Sequence, residues 1–190
     1  METDKIKLNL GCGTNKLDGF INVDKTNICD PDIIHDLEKF PYPFKDNSVK
    51  EIILSHVLEH LGQNPEVFNL IIKEFYRICE NGAIIDIRVP HPRHDNFLSD
   101  PTHVRPITIM TLSMYDKELN KVWEKEGSSN TQLGIINNVN FKIKKAQFFL
   151  DENYEKLIKE NKIKKENLDE LAHKYNNVIK ELKIIWSVVK

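Results

Sequence analysis

Cysteines, arginines and long apolar runs are scarce in this sequence. The three cysteines, Cys12, Cys29 and Cys79, form no CxxC pair and cannot all be bridged, so neither a disulfide framework nor a structural zinc knuckle is expected. No apolar run approaches the roughly 20 residues of a membrane span, and no signal-peptide core follows the polar residues 1–7. We therefore expect a cytoplasmic protein without a membrane partner.

The composition is otherwise that of an ordinary globular domain. Hydrophobic residues make up 40% and charged residues 29% of the 190-residue chain, which excludes a wholly disordered or collagen-like protein. This length predicts a single domain over residues 1–190. The formal charge of -2 conceals a basic segment, 142–190, whose lysines are interspersed with acidic residues as on a solvated helix face. Nucleic acid is therefore not an expected partner, and no oligomeric state is predicted.

Short β-branched runs alternate with polar or helical stretches over the first 90 residues. This pattern is typical of a parallel sheet with crossover helices. The predicted strands are residues 6–10, 20–23, 33–35, 51–55 and 83–89. The apolar spacing predicts a helix from Pro65 to Ile78, with Asn81 and Gly82 closing it.

The second half of the chain is predicted to mix helices and strands. We expect a helix over 107–121, a strand over 138–150 and a Lys-rich helix over 151–175 that is broken near Lys164. Residues 178–189 suit a buried strand by composition, while the lack of Gly or Pro before them permits a continuous helix. We favour the strand, with Asn176 and Asn177 as the turn.

A glycine-rich turn follows the first predicted strand. Gly11 and Gly13 lie where the carboxyl end of that strand meets the ligand-binding edge of an open α/β sheet. The next strand ends at Asp24, whose carboxylate can accept hydrogen bonds from both hydroxyls of a ribose. In the dinucleotide fingerprint a third glycine would stand at Lys16, and Asp24 follows Gly13 by only 11 residues. A nucleoside without a pyrophosphate therefore fits better than a dinucleotide.

Five ordered motifs resemble those of the class I S-adenosylmethionine-dependent methyltransferases. They are Leu10-Gly11-Cys12-Gly13-Thr14, Gly19-Phe20-Ile21-Asn22-Val23-Asp24, His35-Asp36-Leu37, Ser55-His56-Val57-Leu58-Glu59-His60, and residues 82–90. The resemblance covers roughly residues 6–110. It implies an α/β fold, Rossmann-like and doubly wound, with a mostly parallel seven-stranded sheet and an antiparallel C-terminal strand. Residues 1–90 would form the cofactor-binding half, and 91–190 the acceptor loop, helices and C-terminal strands.

The resemblance also implies the cofactor, S-adenosylmethionine, and the residues that bind it. The glycine turn would pass under the methionine and ribose, Asp24 would hold the ribose hydroxyls, and Asp36 with Leu37 would meet the adenine; the alternative for Asp36 is a cap on the following turn. Ser55 and His56 would lie near the sulfonium. The implied cofactor-binding set is Leu10, Gly11, Cys12, Gly13, Thr14, Asn15, Asp24, Asp36, Leu37, Ser55 and His56. The family commonly has Asp or Glu where this chain has Asn9.

Histidines and two of the four arginines cluster after the fourth and fifth predicted strands. The histidines are His56, His60, His91, His94 and His103, and residues 90–106 form a loop with four prolines, too long for a neutral connector. Arginine with histidine suits an anionic or hydroxyl-bearing acceptor. We expect Arg105 to bind the acceptor while His91 or His103 removes its proton. These three residues are the catalytic candidates.

Two other interpretations of the histidines compete with catalysis. His56 and His60, four residues apart, could bind a divalent metal together with His91, His94 or His103. The resembled family carries this His-Val-Leu-Glu-His motif without an obvious metal role, so no metal is expected. The second interpretation is structural, with His60 packing against the helix that begins at Pro65.

The sequence thus supports two functions of different classes. The first is methyl transfer from S-adenosylmethionine to an oxygen or nitrogen of a small polar acceptor, either a small molecule such as a sugar or nucleotide-sugar, or a peptide carboxylate. The second is a non-catalytic, methyltransferase-like binding or scaffold module whose partner contacts the basic segment 156–174. The glycine turn, Asp24 and the polar acceptor loop favour the enzyme.

Overall fold

A seven-stranded sheet forms the centre of the protein, which a computed structural model describes over residues 5–190. The strands are β1 Ile6–Leu10, β2 Ile21–Asp24, β3 Ile33–Ile34, β4 Val49–Ser55, β5 Cys79–Pro90, β6 Phe141–Leu150 and β7 Ile179–Val188. Their order is β3-β2-β1-β4-β5-β7-β6, and β7 runs antiparallel to both of its neighbours. The predicted Rossmann-like, mostly parallel sheet with an antiparallel C-terminal strand is confirmed.

The strand order sets the place of a ligand site. The chain starts at β1 in the middle, moves outward through β2 and β3, and then returns to β4 on the other side of β1. Where the order reverses, the loops after neighbouring strands diverge and leave a crevice at the carboxyl ends of the strands. The glycine turn after β1 and the motif after β4 border this crevice.

The described residues, 5–190, contain seven α-helices, of which the first is the longest. They are α1 Pro65–Ile78, α2 Asp95–Leu98, α3 Ile109–Ser113, α4 Lys117–Glu126, α5 Leu133–Ile136, α6 Glu152–Lys159 and α7 Leu168–Lys174, with 3-10 turns at Leu58–His60 and Lys165–Asn167. Among residues 5–190 no helix combines the length and apolar character needed to cross a membrane.

Helix α1 has the predicted bounds. The Asn64 side chain accepts a hydrogen bond from Glu66 N–H, and Pro65 occupies the first helical position, where its missing N–H costs nothing. The predicted stop was wrong: the chain enters β5 directly at Cys79, and Asn81 and Gly82 lie inside β5. There Gly82 has φ +82° and the β4–β5 register shifts, so the glycine serves a bulge rather than a helix end.

Only one of the four connections between the first five strands contains an α-helix. Within the described chain, residues 11–20 and 25–32 consist of turns and irregular loop; they are at or below the roughly 10–12 residues that a helical crossover needs. Segment 35–48 is longer but contains Pro41 and Pro43, which disfavour a helix. The crossover helices expected from the sequence pattern are therefore present only as α1.

Because α1 is the one α-helical connection between the first five strands of the described chain, the two faces of the sheet are covered differently. One face packs against α1, which buries Phe68, Ile72 and Phe75. The opposite face carries half-exposed ion pairs, Lys7 with Glu51 at 2.7 Å and Lys183 with Asp86 at 2.8 Å.

The second half of the chain follows the predictions except that one predicted helix is split in two. The helix expected over 107–121 is two helices, α3 and α4, because Asp116 starts a new helix by accepting hydrogen bonds from Glu118 and Leu119 N–H. The expected break near Lys164 lies between α6 and the turn before α7. Residues 179–188 form strand β7, so the strand interpretation is confirmed.

Candidate functional site

The glycine turn after β1 is held tightly against its surroundings. Gly11 has φ +65°, and a Cβ at this position would lie 2.6 Å from Val57 Cγ2. Only glycine therefore fits without displacing the segment that follows β4. Cys12 N–H donates to Val23 O at 3.0 Å, which ties the turn to the end of β2.

Asp24 is oriented by the same turn. Its Oδ2 accepts a hydrogen bond from Gly13 N–H at 3.0 Å, and its Oδ1 accepts from Thr26 N–H at 3.1 Å. These contacts hold the carboxylate at the carboxyl end of β2, where it borders a cavity. Oδ1 also accepts from the Thr26 hydroxyl at 3.3 Å, whereas Oδ2 keeps a further lone pair for a ligand hydroxyl.

The cavity beside Asp24 has a volume of about 390 Å³ and collects most of the predicted adenosine-binding residues. Its wall consists of Gly11, Asp24, Lys25, His35, Asp36, Leu37, His56, Val57, His60, Leu61 and Thr102. Asp36 also accepts from Glu38 N–H at 2.9 Å, so it caps the following turn and faces the cavity at once. A volume of this size lies within the range of small-molecule sites, about 300–1,000 Å³.

A second cavity of about 480 Å³ adjoins the first at Gly11. It collects the predicted residues of the glycine turn together with three charged side chains, and its wall includes Asn9, Gly11, Cys12, Gly13, Thr14, Asn15, Ser55, Asp86, Arg88 and Lys183. Leu10 contributes no side chain to either cavity, because it is fully buried in the core. Burial raises the pKa of the Cys12 thiol to about 11, so this cysteine is not a thiolate nucleophile.

Asn9 holds the far end of the glycine turn. Its Nδ2 donates to Asn15 O and to Asn22 Oδ1, both at 2.9 Å. Asn22 in turn donates through its backbone N–H and its side chain to Asp32 Oδ2, at 2.7 and 2.9 Å. The backbone N–H of Asn22 and its side-chain amide lower the pKa of Asp32. The sequence indicated Asn9 as a departure but gave no signal for the partners on β2 and beyond.

His56 lies at the cavity wall in a network of carboxylates. It has φ +55°, its Nε2 lies 3.0 Å from Glu181 Oε2, and its Nδ1 lies 3.5 Å from Glu59 Oε1. The nearby carboxylate of Glu59, together with the hydrogen bond and charge of Glu181, raises the pKa of His56 against the opposing effect of burial. Sequence reasoning missed Glu181, which reaches the site because β7 pairs it with Pro90 at the end of β5.

The three predicted catalytic residues lie outside both cavities. Burial lowers the pKa of His91, and its Nδ1 accepts from Arg93 N–H at 3.2 Å. His103 donates through Nδ1 to Phe97 O at 2.8 Å. The Arg105 guanidinium lies 4.2 Å from the ring centre of Phe68 and hydrogen-bonds Gly62 O. The guanidinium is thus held by contacts within the protein, and its two-pronged contact with an acceptor stays a prediction.

Two other polar residues of the long loop anchor it to the C-terminal half. His94 Nε2 lies 3.3 Å from Asp151 Oδ2, and His94 Nδ1 accepts from Asn96 N–H at the start of α2. Arg93 donates to Ala172 O at 2.8 Å and to His173 O at 3.0 Å. The loop 90–106 is thus an ordered wall beside the crevice, and of its residues Thr102 borders the first cavity.

Comparisons with known proteins give matches at the level of structure. No family model matches the sequence, and no curated protein matches it. The chain is similar to a SAM-dependent methyltransferase from Archaeoglobus fulgidus, with a TM-score of 0.64 and 20% identity over 96% of this chain and 86% of that one. A putative S-adenosylmethionine-dependent methyltransferase from Listeria monocytogenes has a TM-score of 0.57 and 12% identity, covering 99% and 92%.

A third solved structure widens the chemistry associated with this fold. The cyclase SpnF has a TM-score of 0.51 and 14% identity, covering 97% of this chain and 76% of that one. At such identities the likeness establishes the fold: this chain has the Rossmann-like fold of SAM-dependent methyltransferases. Because a cyclase has it too, the reaction must be argued from the site.

Proposed function

We propose that this protein binds S-adenosylmethionine and transfers its methyl group to an oxygen or nitrogen of a small polar acceptor. The observation that carries the proposal is the position of Asp24, held by the glycine turn at the wall of a cavity that also contains Asp36. Two carboxylates at the ends of neighbouring strands match the hydrogen-bond donors of an adenosine. One would accept from the ribose hydroxyls and the other from the exocyclic amine.

The two adjoining cavities suit the two halves of the cofactor. The adenosine half would occupy the cavity of Asp24, Asp36 and Leu37, and the methionine half would pass Gly11 into the second cavity. There Lys183 pairs with Asp86 at 2.8 Å, and Arg88 pairs with Glu181 at 3.4 Å. In the proposed complex Arg88 and Lys183 would also contact the methionine carboxylate, and Asp86 its ammonium group. In this proposal residues 1–90 form the cofactor-binding half, with Lys183 added from β7.

The chain's own residues would chiefly position the acceptor. Bound S-adenosylmethionine supplies a methyl group that is already activated on a sulfonium, so most of the rate enhancement must come from orientation. Among the predicted site histidines, His56 lines the cavity beside Asp24, and we place proton acceptance at His56; a role of His91 or His103 in catalysis stays a prediction. Sugars, nucleotide-sugars and peptide carboxylates remain the proposed acceptors, and the cytoplasmic location stays a prediction.

The alternative function, a scaffold that uses the basic segment 156–174, has less support. Three of its lysines form surface ion pairs: Lys156 and Lys162 share Glu160, and Lys174 pairs with Glu170. Such interspersed pairs are typical of a solvated surface. The polar cavities, in contrast, are concave and bounded by oriented carboxylates.

Calorimetric titration with S-adenosylmethionine and S-adenosylhomocysteine tests the proposal. We expect wild-type protein to bind both, and Asp24→Asn to bind at least about tenfold more weakly, because a charge-assisted hydrogen bond is lost. Asp18→Asn, an exposed aspartate of the adjacent loop, is the matched control and should bind like wild type. Equal binding by Asp24→Asn, or no binding by wild type, would contradict the assignment. Transfer of labelled methyl to a panel of sugars, nucleotide-sugars and peptides then tests the acceptor.

A further inference from the structure

Glu59 is a buried carboxylate whose charge is left without a hydrogen bond. It lies in the 3-10 turn Leu58–His60, and its side chain is 0% exposed. Among residues 5–190 neither carboxylate oxygen has a hydrogen-bond partner, and His56 Nδ1 stands 3.5 Å away. Buried carboxylates are normally paired, hydrogen-bonded or bound to a metal ion. At this distance His56 leaves both carboxylate oxygens without a hydrogen bond, so Glu59 keeps its oxygens available for a metal ion.

Two histidines face the same point. Glu59, His60 and His103 each offer one ligand atom, and these atoms lie within 4.8 Å of one another. The rings of His60 and His103 meet edge to face, with centroids 4.6 Å apart. Ligands bound at about 2.1 Å to one tetrahedral ion stand roughly 3.4 Å apart, so only a small closure separates this group from a metal site.

The hydrogen bonds behind both rings select the tautomer that a metal requires. Phe97 O can only accept, so His103 Nδ1 carries the proton that it shares with this carbonyl at 2.8 Å. Thr102 Oγ1 gives its own proton to Asp100 Oδ1 at 2.6 Å and therefore accepts from His60 Nδ1, which lies 3.0 Å away. In both neutral rings Nε2 then keeps its lone pair. Such outer oxygen partners on Nδ1 are typical of metal-bound histidines.

We propose that Glu59, His60 and His103 bind one divalent transition-metal ion, of which Zn²⁺ is the best match. Two imidazoles and one carboxylate are a common ligand set for zinc sites that keep an open coordination position. Asp100 Oδ2 lies 3.7 Å from His103 Nε2 and is placed to become a fourth ligand, the second oxygen of the set. Because His60 and Thr102 line the first cavity, the ion would border that cavity.

This site differs from the metal set considered from the sequence. There His56 and His60 were paired by their spacing, and no metal was expected. In the structure His56 contacts Glu181, while His91 and His94 contact other residues of the chain. The carboxylate of Glu59 therefore takes the place of His56 in the ligand set. The proposal does not depend on methyl transfer, since none of its ligands is among the proposed cofactor contacts.

Titration of chelator-treated protein with Zn²⁺, followed by calorimetry and by metal analysis after dialysis, tests the site. We expect one Zn²⁺ per chain, and a loss of affinity of at least about tenfold in Glu59→Gln, His60→Gln and His103→Gln. His173→Gln, an exposed histidine of α7, is the matched control and should bind as wild type does. With Co²⁺ in place of Zn²⁺, the visible absorption of a nitrogen- and oxygen-bound ion should appear in wild type and control.

Further measurements guard against variants that fail to fold. Circular dichroism checks that each variant is folded. Zn²⁺ should raise the melting temperature of wild type and His173→Gln but not of His60→Gln. His60 is chosen because its side chain is less buried than those of Glu59 and His103, so its replacement should disturb the fold least. Absence of Zn²⁺ binding by wild type, or binding by a folded His60→Gln equal to that of the control, would overturn the site. S-adenosylhomocysteine binding is measured separately, so that failure of the cofactor proposal is distinguishable.

Discussion

At the scale of single residues, the side-chain amide of Asn9 fastens the far end of the glycine turn. Asn9 donates both to the carbonyl of Asn15 and to the side-chain oxygen of Asn22, so both acceptors face an N–H group. Asn9 is only 4% exposed, and water does not readily replace a lost partner at such a position. The amide of Asn9 therefore supplies the donors that these two oxygens need, although class I methyltransferases commonly have an acid at this position.

Asn9→Asp should destabilise this protein. A carboxylate would point at two oxygens that accept hydrogen bonds and would lose both donors, so we expect the free energy of unfolding to fall by about 1–3 kcal/mol at neutral pH. Urea denaturation measures the change. Asn15→Asp, which alters an exposed side chain of the same turn but keeps the backbone carbonyl, serves as the control. Unchanged or increased stability of Asn9→Asp would show that the amide is not needed.

At the scale of elements, α1 is joined to the loop between β3 and β4 by one ionic network. Glu74 accepts hydrogen bonds from Tyr42 N–H at 2.6 Å and from Arg77 Nε–H at 2.8 Å. Arg77 also donates to the carbonyls of Phe44 and Tyr42, at 2.9 and 3.1 Å. Burial by itself would raise the pKa of Glu74, but the hydrogen bonds from Arg77 and Tyr42 hold that pKa below its ordinary value. The network thus orders a segment that has no helix of its own.

Glu74→Gln should lower stability in a pH-dependent way. The pKa of Glu74 is lower in the folded than in the unfolded state, so its stabilising effect is present above the unfolded pKa and is lost as pH falls through the folded pKa. We expect a loss of about 1–3 kcal/mol at neutral pH, shrinking as the solution becomes acidic. Denaturation at several pH values measures it, with the exposed Glu124→Gln of α4 as control. A loss independent of pH would contradict the ionic interpretation.

At the scale of the whole molecule, the crevice is assembled from distant segments. The glycine turn, the end of β3, the turn after β4 and the start of β7 all contribute to the two adjoining cavities. Gly11 belongs to both, so a ligand that occupies them together must pass over this residue. One molecule of cofactor would therefore bridge both sides of the β1–β4 switch point.

Hydrogen exchange with and without S-adenosylhomocysteine tests this bridging. We expect slower exchange at residues 11–15 and 35–37 together, because a single ligand would cover both, and no change over 152–174, which lies outside both cavities. Asp24→Asn at the same ligand concentration should show little protection. Protection confined to one of the two segments would contradict a ligand that spans both cavities.

The amino-acid sequence by itself determined the local features of this protein. Strand β1 and helix α1 have the predicted bounds, and the turn at Gly11 and the acid at Asp24 stand where the motifs placed them. Periodicity, helix-start signals and glycine turns depend on neighbours within a few residues, which a sequence displays directly. For the same reason Asp24 could be predicted from the end of a strand, whereas Asp36 was implied by the family resemblance.

Only the tertiary structure decided how the remaining side chains combine. It set Arg105 on the ring of Phe68, brought Glu181 to His56, and grouped Glu59 with His60 and His103. These partners are separated by tens of residues in the chain or depend on the path of an irregular loop. Sheet register and loop packing select such contacts, and both arise from the burial of the whole core rather than from any local pattern.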